Sequence, residues 1–461
     1  MKKNTDFNNS SLKEKRTRLK HILLEKLKGK NSAVAGKINS SANQKSIGYD
    51  AFSSGVNYNH EEIGQFNKWL DSLKRNDSYV FAAEHLSAPE EETEIILQSG
   101  KKRKVLNFSS YNYLGYGCHP KVKLSAKEAI EKFGIGAGSS PIFSGNFTIH
   151  REFEKRLIKF LGLSKDYGIS IFSTGYGANT GTISAYMKPG SYVVLDEFSH
   201  ISLIEGAFLS GAIVRIFKHN DMNDLENILI SINERDVRKL ICCEGVYSAG
   251  GDRGNIKSIV ALAKKYNART LVDEAHSIMI AGEQGRGVSA EQGVLKEIDM
   301  LIVTFSKAFC SLGGALVAKK GIAQYVNWYA KCRMFSAAIP PAVIGGISKV
   351  LELGSSADGD KRRKRIIENS AYMRSLLKGK VDILDTSTWI VPVLCYDEKV
   401  ALRVGGYLQK NGVDVSLMCF PAVPHNKARI RLFITSEHTK SQIKKASAII
   451  LDAAKKYKIE Q

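Results

Sequence analysis

Seven short apolar runs recur between residues 168 and 318, and several are separated by segments of helical periodicity. The runs are GISIFS (168–173), SYVVLD (191–196), AIVRIF (212–217), KLICCE (239–244), RTLVDEA (269–275), DMLIVTF (299–305) and GALVA (314–318). Stretches such as DMNDLENILISI and NIKSIVALAKKY lie between them. Strands buried on both faces read as continuous apolar runs, and parallel neighbours need helical crossovers, so this alternation predicts an α/β fold. The expected architecture is a large domain over residues 105–325, with a mostly parallel seven-stranded sheet covered by helices. Residues 326–461, which open on a helical stretch and a Pro-Pro break, are expected to form a smaller C-terminal α+β domain. Residues 61–104 lead into the large domain, and residues 1–60 form a polar, basic extension.

Composition narrows the setting. With 461 residues and 43% hydrophobic content, the chain can bury a substantial core. A net charge of +21 raises the question of nucleic acid. The charge is spread, however, over residues 1–45 (twelve Lys and Arg against three acids), KKRK at 101–104 and KRRKR at 361–365, with no nucleic-acid-binding signature beside them. No nucleic-acid partner is therefore expected. The seven cysteines form no CxxC pair and no regular framework, which predicts neither a metal site nor a disulfide scaffold and suits a reducing cytoplasm. No run approaches the roughly 18–20 apolar residues of a membrane span, and an apolar leader is not seen after Met1. Inside the extension, Ser11 can cap and Gly29 can stop a basic amphipathic helix with Leu12, Leu19, Ile22, Leu23 and Leu27 near one face. Such a helix needs a surface: its own domain, a second subunit, a carrier protein or megasynthase, or the face of a membrane.

The polar residues at the predicted strand ends form a set. Asp273 and His276 close one strand; Thr304, Ser306 and Lys307 follow another; His200 follows a third; Thr174, Gly175 and Tyr176 follow a fourth. In parallel sheets, ligands gather at these carboxyl ends. A lysine in an apolar pocket has a lowered pKa and condenses with aldehydes. An aspartate facing a pyridine nitrogen keeps it protonated and makes the ring an electron sink. The glycine turn entering STGYGANTGTISAYM offers N–H groups to a phosphate. Aldehyde, pyridine and phosphate together describe pyridoxal 5′-phosphate.

The segments LVDEAHSIMIAGEQGRGV and IVTFSKAFCSLGGALVA, with 34 residues between Asp273 and Lys307, resemble the α-oxoamine synthases, fold-type-I pyridoxal phosphate enzymes. NFSSYNYLGYGCHPKV, GAGSSPIFSGNFTIHREFEKRLIKFLG and PAVPHNKARIRLFITSEHT agree, and the resemblance spans about residues 105–455. It implies that Lys307 is the Schiff-base lysine and the base for the substrate Cα proton. Asp273 would pair with the pyridine nitrogen, His276 with the phenolic oxygen, and His200 would stack on the ring. Gly175, Tyr176 and Thr304 would hold the phosphate, with Ser248 close to the cofactor. Arg431 would grip the amino-acid carboxylate, and Asn112 matches the asparagine of the YNYLG motif. Where many members carry FSTSLPP, with a hydroxyl reaching the neighbouring subunit's phosphate, this chain reads FSAAIPP and places Ala337 in the threonine position.

The implied activity is decarboxylating condensation of a small amino acid with an acyl thioester, on coenzyme A or an acyl carrier protein, in a homodimer. DEAHS and TFSKAFCSLGG look closer to serine palmitoyltransferases than to 8-amino-7-oxononanoate synthases or glycine-using members, which favours serine or alanine. The alternatives are those two synthase activities and a fold-type-I aminotransferase. SYNYLG and ARIRL argue against the aminotransferase.

Overall fold

The computed structural model describes residues 60–461 apart from 77, 233–235 and 421. The helix anticipated over 11–29 lies outside the described residues. Among those that are described, the strands are β1 (Glu84–His85), β2 (Glu92–Ile96), β3 (Lys102–Phe108), β4 (Tyr167–Phe172), β5 (Tyr192–Asp196), β6 (Ile213–Phe217), β7 (Lys239–Glu244), β8 (Arg269–Asp273), β9 (Met300–Thr304), β10 (Gly314–Lys319), β11 (Ile390–Tyr396), β12 (Val413–Met418) and β13 (Ala428–Phe433).

All seven strands read from the sequence form one sheet, in the order β4-β10-β9-β8-β7-β5-β6. Only β10 runs against its neighbours, antiparallel to both β4 and β9. The remaining pairs are parallel. Successive side chains on a strand point to opposite faces, and here both faces are covered. Val194, Val272 and Leu301 enter one apolar core, whereas their neighbours Val193, Leu271 and Met300 enter the other. Burial on both faces is why these strands appear in the sequence as unbroken apolar runs.

The crossover helices start where the sequence supplies caps. Asp221 accepts from the Asp224 N–H at the start of Met222–Ser231, and Asn255 from Ser258 at the start of Ile256–Lys265. Thr174 does the same for Gly177 at the head of Gly175–Tyr186. Each satisfies an N–H that a helix end otherwise leaves open.

The second sheet has the order β1-β2-β3-β12-β13-β11 and differs from the sequence expectation. It is not built from residues 326–461 alone. Strand β3 runs through the boundary placed at residue 105 and pairs in parallel with β12, Leu106 opposite Val413. The N-terminal segment and the start of the expected large domain are therefore part of the smaller sheet. Strand partners so distant in the chain leave no local mark, since apolar periodicity reports burial and not the neighbour. Helices Ala357–Leu377, Glu398–Lys410 and Lys440–Tyr457 accompany this sheet.

The basic run at 361–365 falls within the first of these helices and is partly structural. Arg362 donates to the Leu114 carbonyl and pairs with Asp358 and Glu437, while Arg363 donates to the Gly354 carbonyl. Among the described residues, no helix is long and apolar enough to cross a membrane.

The antiparallel strand β10 packs closely on the head of helix Gly175–Tyr186. A Cβ on Gly314 would lie 2.7 Å from the Gly175 Cα and 3.0 Å from the Val303 carbonyl oxygen, both of them backbone atoms with little room to move. Gly314→Ala should therefore cost about 1–3 kcal/mol of stability, the usual range for overpacking. A denaturant titration of the variant against the wild type measures this, and an unchanged midpoint would contradict the close packing.

Candidate active site

Because β4, β5, β7, β8 and β9 run in the same direction, their carboxyl ends form one edge. The segments that follow them carry Thr174 to Tyr176, His200, Ser248, Asp273 with His276, and Lys307. Arg431 arrives from the second sheet. Gly175, Tyr176, His200, Ser248, Asp273, His276, Thr304, Lys307 and Arg431 line a single cleft. Asn112 does not line it. Its side-chain amide donates to the Pro89 carbonyl at 3.1 Å and accepts from the Gly117 N–H at 3.2 Å, fastening the YNYLG turn from outside.

Asp273 is buried, with one oxygen accepting from Asn179 Nδ2 at 2.7 Å and the other from the Ala275 N–H at 2.9 Å. Asn179 also donates to Ser202 Oγ at 2.9 Å, and that hydroxyl meets His200 Nδ1 at 2.8 Å. A polar chain thus ties the ends of β5 and β8 through helix Gly175–Tyr186. The His200 backbone N–H is held by Glu244 Oε1 at 2.5 Å. Burial, reinforced by the nearby Asp273 charge, pushes the Glu244 carboxyl well above the usual carboxylate range.

Lys307 follows β9 into this surrounding. Burial lowers its ammonium pKa; Asp273 and Glu244 oppose that shift, and Arg431 adds to it. Desolvation disfavours the charged form, so a larger share of the lysine is the neutral amine needed to attack a carbonyl. His276 is held well below the ordinary histidine range by burial and then by the positive charges of Lys307 and Arg431. Its Nδ1 lies 2.8 Å from the Tyr113 hydroxyl, and its carbonyl accepts from the Trp389 indole at 3.0 Å. With Tyr113 donating to Nδ1, the neutral ring carries its proton on Nε2, where it can donate to an oxygen in the cleft.

Arg431 is buried on β13. Its Nη1 donates to the Ser248 carbonyl at 3.1 Å, and its Nη2 to Ser416 Oγ at 3.0 Å. Ser416 is the residue opposite it on β12. The guanidinium lies over the Phe433 ring, 4.9 Å from the centroid. Among the described residues it has no carboxylate partner, and its Nε is buried without a hydrogen-bond acceptor. A buried guanidinium left uncompensated in this way suits a bound carboxylate, which its fork can grip at two oxygens.

At the other end of the cleft, the head of helix Gly175–Tyr186 faces the Thr304 hydroxyl. A Cβ on Gly175 would come within 2.4 Å of Thr304 Oγ1, so the turn can carry no side chain. Ser306 Oγ lies 3.0 Å from the same hydroxyl. The N–H groups of Gly175 and Tyr176 precede the first intrahelical bonds and, with the helix dipole, form a site for a phosphate. Phosphate turn, buried aspartate, neutral histidine and desolvated lysine match the functional groups of pyridoxal 5′-phosphate, so the residues present fit that cofactor.

Comparison with known proteins agrees. The family described as aminotransferase class I and II matches residues 103–450. The 8-amino-7-oxononanoate synthase of Thermoanaerobacter pseudethanolicus is 37% identical over 74% of this chain and 85% of its own length. The serine palmitoyltransferase of Bacteriovorax stolpii is 34% identical over 84% and 90%, respectively. Among solved structures, Sphingomonas wittichii serine palmitoyltransferase superposes with a TM-score of 0.81 at 28% identity, covering 88% of this chain and 100% of that one. The S. paucimobilis enzyme with bound PLP and myriocin gives a TM-score of 0.80 at 32% identity, covering 86% and 97%. The chain belongs to the class I and II aminotransferase family, on its α-oxoamine synthase branch. It is a pyridoxal phosphate-dependent acyltransferase.

Several residues at the site escaped the sequence reading. Asn179 is one of several polar residues on helix Gly175–Tyr186 and gives no signal, whereas Ser202 gives a faint one on the mostly apolar helix Ile201–Leu209. Glu244 was read as the end of a strand. His219 gave none, yet its Nδ1 bonds Asp196 at 2.8 Å and its Nε2 bonds Asp252 at 2.7 Å. It stacks on Phe198 with the ring centroids 4.4 Å apart. This clamp joins the loop carrying His200 to the loop carrying Ser248. Burial alone would lower the pKa of His219, but the hydrogen bonds and charges of Asp196 and Asp252 outweigh it and raise the value to about 10. A group whose pKa rises on folding stabilises fully below its unfolded pKa and loses that contribution as pH climbs through the folded one. Stability should therefore carry a declining component between about pH 6.5 and 10 that His219→Gln removes, measured as unfolding midpoint against pH. An identical slope in the variant would refute the clamp.

Proposed function

We propose that this enzyme condenses serine or alanine with a medium- or long-chain acyl thioester, releasing an α-aminoketone, CO₂ and free thiol. The observation that carries this reading is Arg431: a buried guanidinium that has no carboxylate partner among the described residues, in the same cleft as Lys307 and Asp273. It suits an α-amino acid bound by its carboxylate. Relatives of both the serine palmitoyltransferase and the 8-amino-7-oxononanoate synthase kind support the condensation, with glycine-using and transaminating activities as the alternatives.

The bound pyridoxal phosphate supplies an electron sink for the pair left at the amino acid's Cα. The protein's own residues do the rest. Asp273 would hold the positive charge of a protonated pyridine nitrogen, with Asn179 keeping that carboxylate aimed. His276 would donate from Nε2 to the phenolic oxygen. His200, fixed through Ser202 and Glu244, would cover one face of the ring, and Gly175, Tyr176 and Thr304 would anchor the phosphate. Arg431 orients the amino acid by its carboxylate, and Lys307 takes the Cα proton as the neutral amine. The new carbon–carbon bond forms as the carbon–sulfur bond breaks, the leaving thiolate takes a proton from solvent, and when the carboxyl carbon of the amino acid departs as CO₂ the pair left at Cα takes back the proton held by Lys307. Positioning of both substrates accounts for much of the rate.

A homodimer is part of the proposal. The cleft encloses about 3560 Å³, several times the roughly 300–1,000 Å³ of an ordinary ligand site. Ile135, Phe143 and Phe335 are 85%, 76% and 81% exposed, as residues are that await a partner surface. Ala337 supplies only its carbonyl, to Ser173 Oγ at 2.7 Å, and Ser336 is the neighbouring hydroxyl that could serve the second subunit's phosphate. A carrier-protein donor docking on residues 11–29 belongs to the same proposal, as does a cytoplasmic location with peripheral membrane contact through that segment.

Two measurements test this reading. The protein loaded with cofactor should be yellow, and Lys307→Ala should lose the colour and at least a thousandfold of the activity, as expected when an essential nucleophile is removed. A matrix of amino acids against acyl-coenzyme A and acyl-carrier donors, scored by thiol release, should respond to serine or alanine with long acyl chains. Release with no pair would sink the synthase reading.

A further inference from the structure

Two basic features of the chain have no part in the chemistry above, the KKRK run at 101–104 and the cations of helix Glu398–Lys410. The fold brings them onto one face. Lys399, Arg403 and Tyr407 recur every four residues and so stand in one row along the helix. Lys399 and Arg403 are exposed and border the cleft that contains Lys307 and Arg431. Lys456, from helix Lys440–Tyr457, lies over the Tyr407 ring, 4.7 Å from its centroid. Arg103 stands at the far end, where its Nη2 would lie 3.8 Å from a Cβ on Gly412. With 13 residues in the helix, the stripe is about 20 Å long at a rise of 1.5 Å per residue. None of these four cations is ion-paired among the described residues. The two acids at the head of the helix are engaged by backbone: Asp397 accepts from the Lys399 and Val400 N–H groups, and Glu398 from Phe420 N–H at 3.2 Å. Glu94 opposite Lys104, and Asp452 one turn before Lys456, offset only part of the charge.

We propose that this stripe is the docking face for an acidic carrier protein, which presents its acyl thioester to the cleft on a flexible arm. The inference rests on the condensation proposed above and names the bearer of its acyl donor, and the face is separate from residues 11–29. Three points select this occupant. The first is charge. A cationic face calls for an anionic partner, and a second copy of a chain with a net charge of +21 is repelled from it, as are residues 1–45 with their twelve Lys and Arg against three acids. The second is length: the diphosphate of a coenzyme would meet only the Lys399 end, whereas the flank of a protein can follow the row to Arg103. The third is position. One end of the row opens on the cleft that holds Lys307, so cargo brought by a partner on this surface must reach inwards, as a thioester on a mobile arm does. Exposed charges of this kind steer the encounter and fix its orientation, and their effect falls with salt.

The test uses the full-length holoenzyme and one palmitoyl group presented on two donors, coenzyme A and a bacterial acyl carrier protein. Arg103→Glu combined with Lys456→Glu should lower the carrier-to-coenzyme ratio of kcat/KM by roughly tenfold or more, chiefly through KM, and flatten the salt dependence of the carrier reaction. Arg103→Lys combined with Lys456→Arg, which keeps the charge, should retain the wild-type ratio. An unchanged ratio, or an equal loss with both donors, overturns the docking face while leaving the condensation intact. So does a wild type that turns over palmitoyl-coenzyme A but neither binds nor uses the carrier protein. Phosphatidylglycerol vesicles or a DNA duplex bound through Arg103 and Lys456, with carrier binding indifferent to both, would give the face to another polyanion and also overturn it. If no donor releases thiol but the carrier protein binds the wild type at least tenfold more tightly than the doubly reversed variant, the docking face stands and the condensation fails.

Discussion

The site depends on burying charges that water would otherwise screen. Asp273, Lys307 and Arg431 lie in one desolvated cleft, with Glu244 beside them as a carboxyl whose ionisation burial opposes. In a low dielectric each charge acts strongly on its neighbours. Lys307 is pushed towards the neutral amine, His276 is kept neutral, and Arg431 has no carboxylate partner among the described residues. The same desolvation that would be a liability in an empty core readies the groups for a zwitterionic substrate and an anionic cofactor.

Holding such groups in place requires a rigid frame, and the seven-stranded sheet provides one. Its parallel strands deliver Asp273, Lys307 and the segment before His200 to a single edge. Asn179, Ser202 and Glu244 then fasten those ends to each other. The second sheet supplies Arg431, and hydrogen bonds from Arg431 to the Ser248 carbonyl, from Arg429 to the Ala249 carbonyl and from Trp389 to the His276 carbonyl are among those that link it to the first. A movement of one sheet against the other would therefore change the distance between Arg431 and Lys307. Both His219 and helix His60–Arg75 border the cleft, and His219 also clamps two loops of the large sheet.

Much of this was legible in the sequence, and the reason is physical. Burial on both faces makes a parallel strand an unbroken apolar run, so all seven strands of the large sheet could be read with bounds close to those observed. Lys307, Asp273, His276 and His200 were legible because a parallel sheet puts its chemistry at its carboxyl ends, and the sequence places polar residues there in order. The helices Met222–Ser231 and Ile256–Lys265 were legible as periodic stretches.

What only the tertiary structure decided are the relations between distant segments. The pairing of β3 with β12, which moved the domain boundary, joins residues some three hundred positions apart. The bonds from Asn179 to Asp273, from Arg431 to Ser416 and from His219 to Asp252 likewise cross between elements. Asn112 matched a motif, yet its amide is engaged by backbone outside the cleft. Local sequence determines which residues are apolar, which cap and which can react, because those properties act over a few residues. Which of them meet is set by the packing of whole sheets and helices, and only the fold brings those partners together.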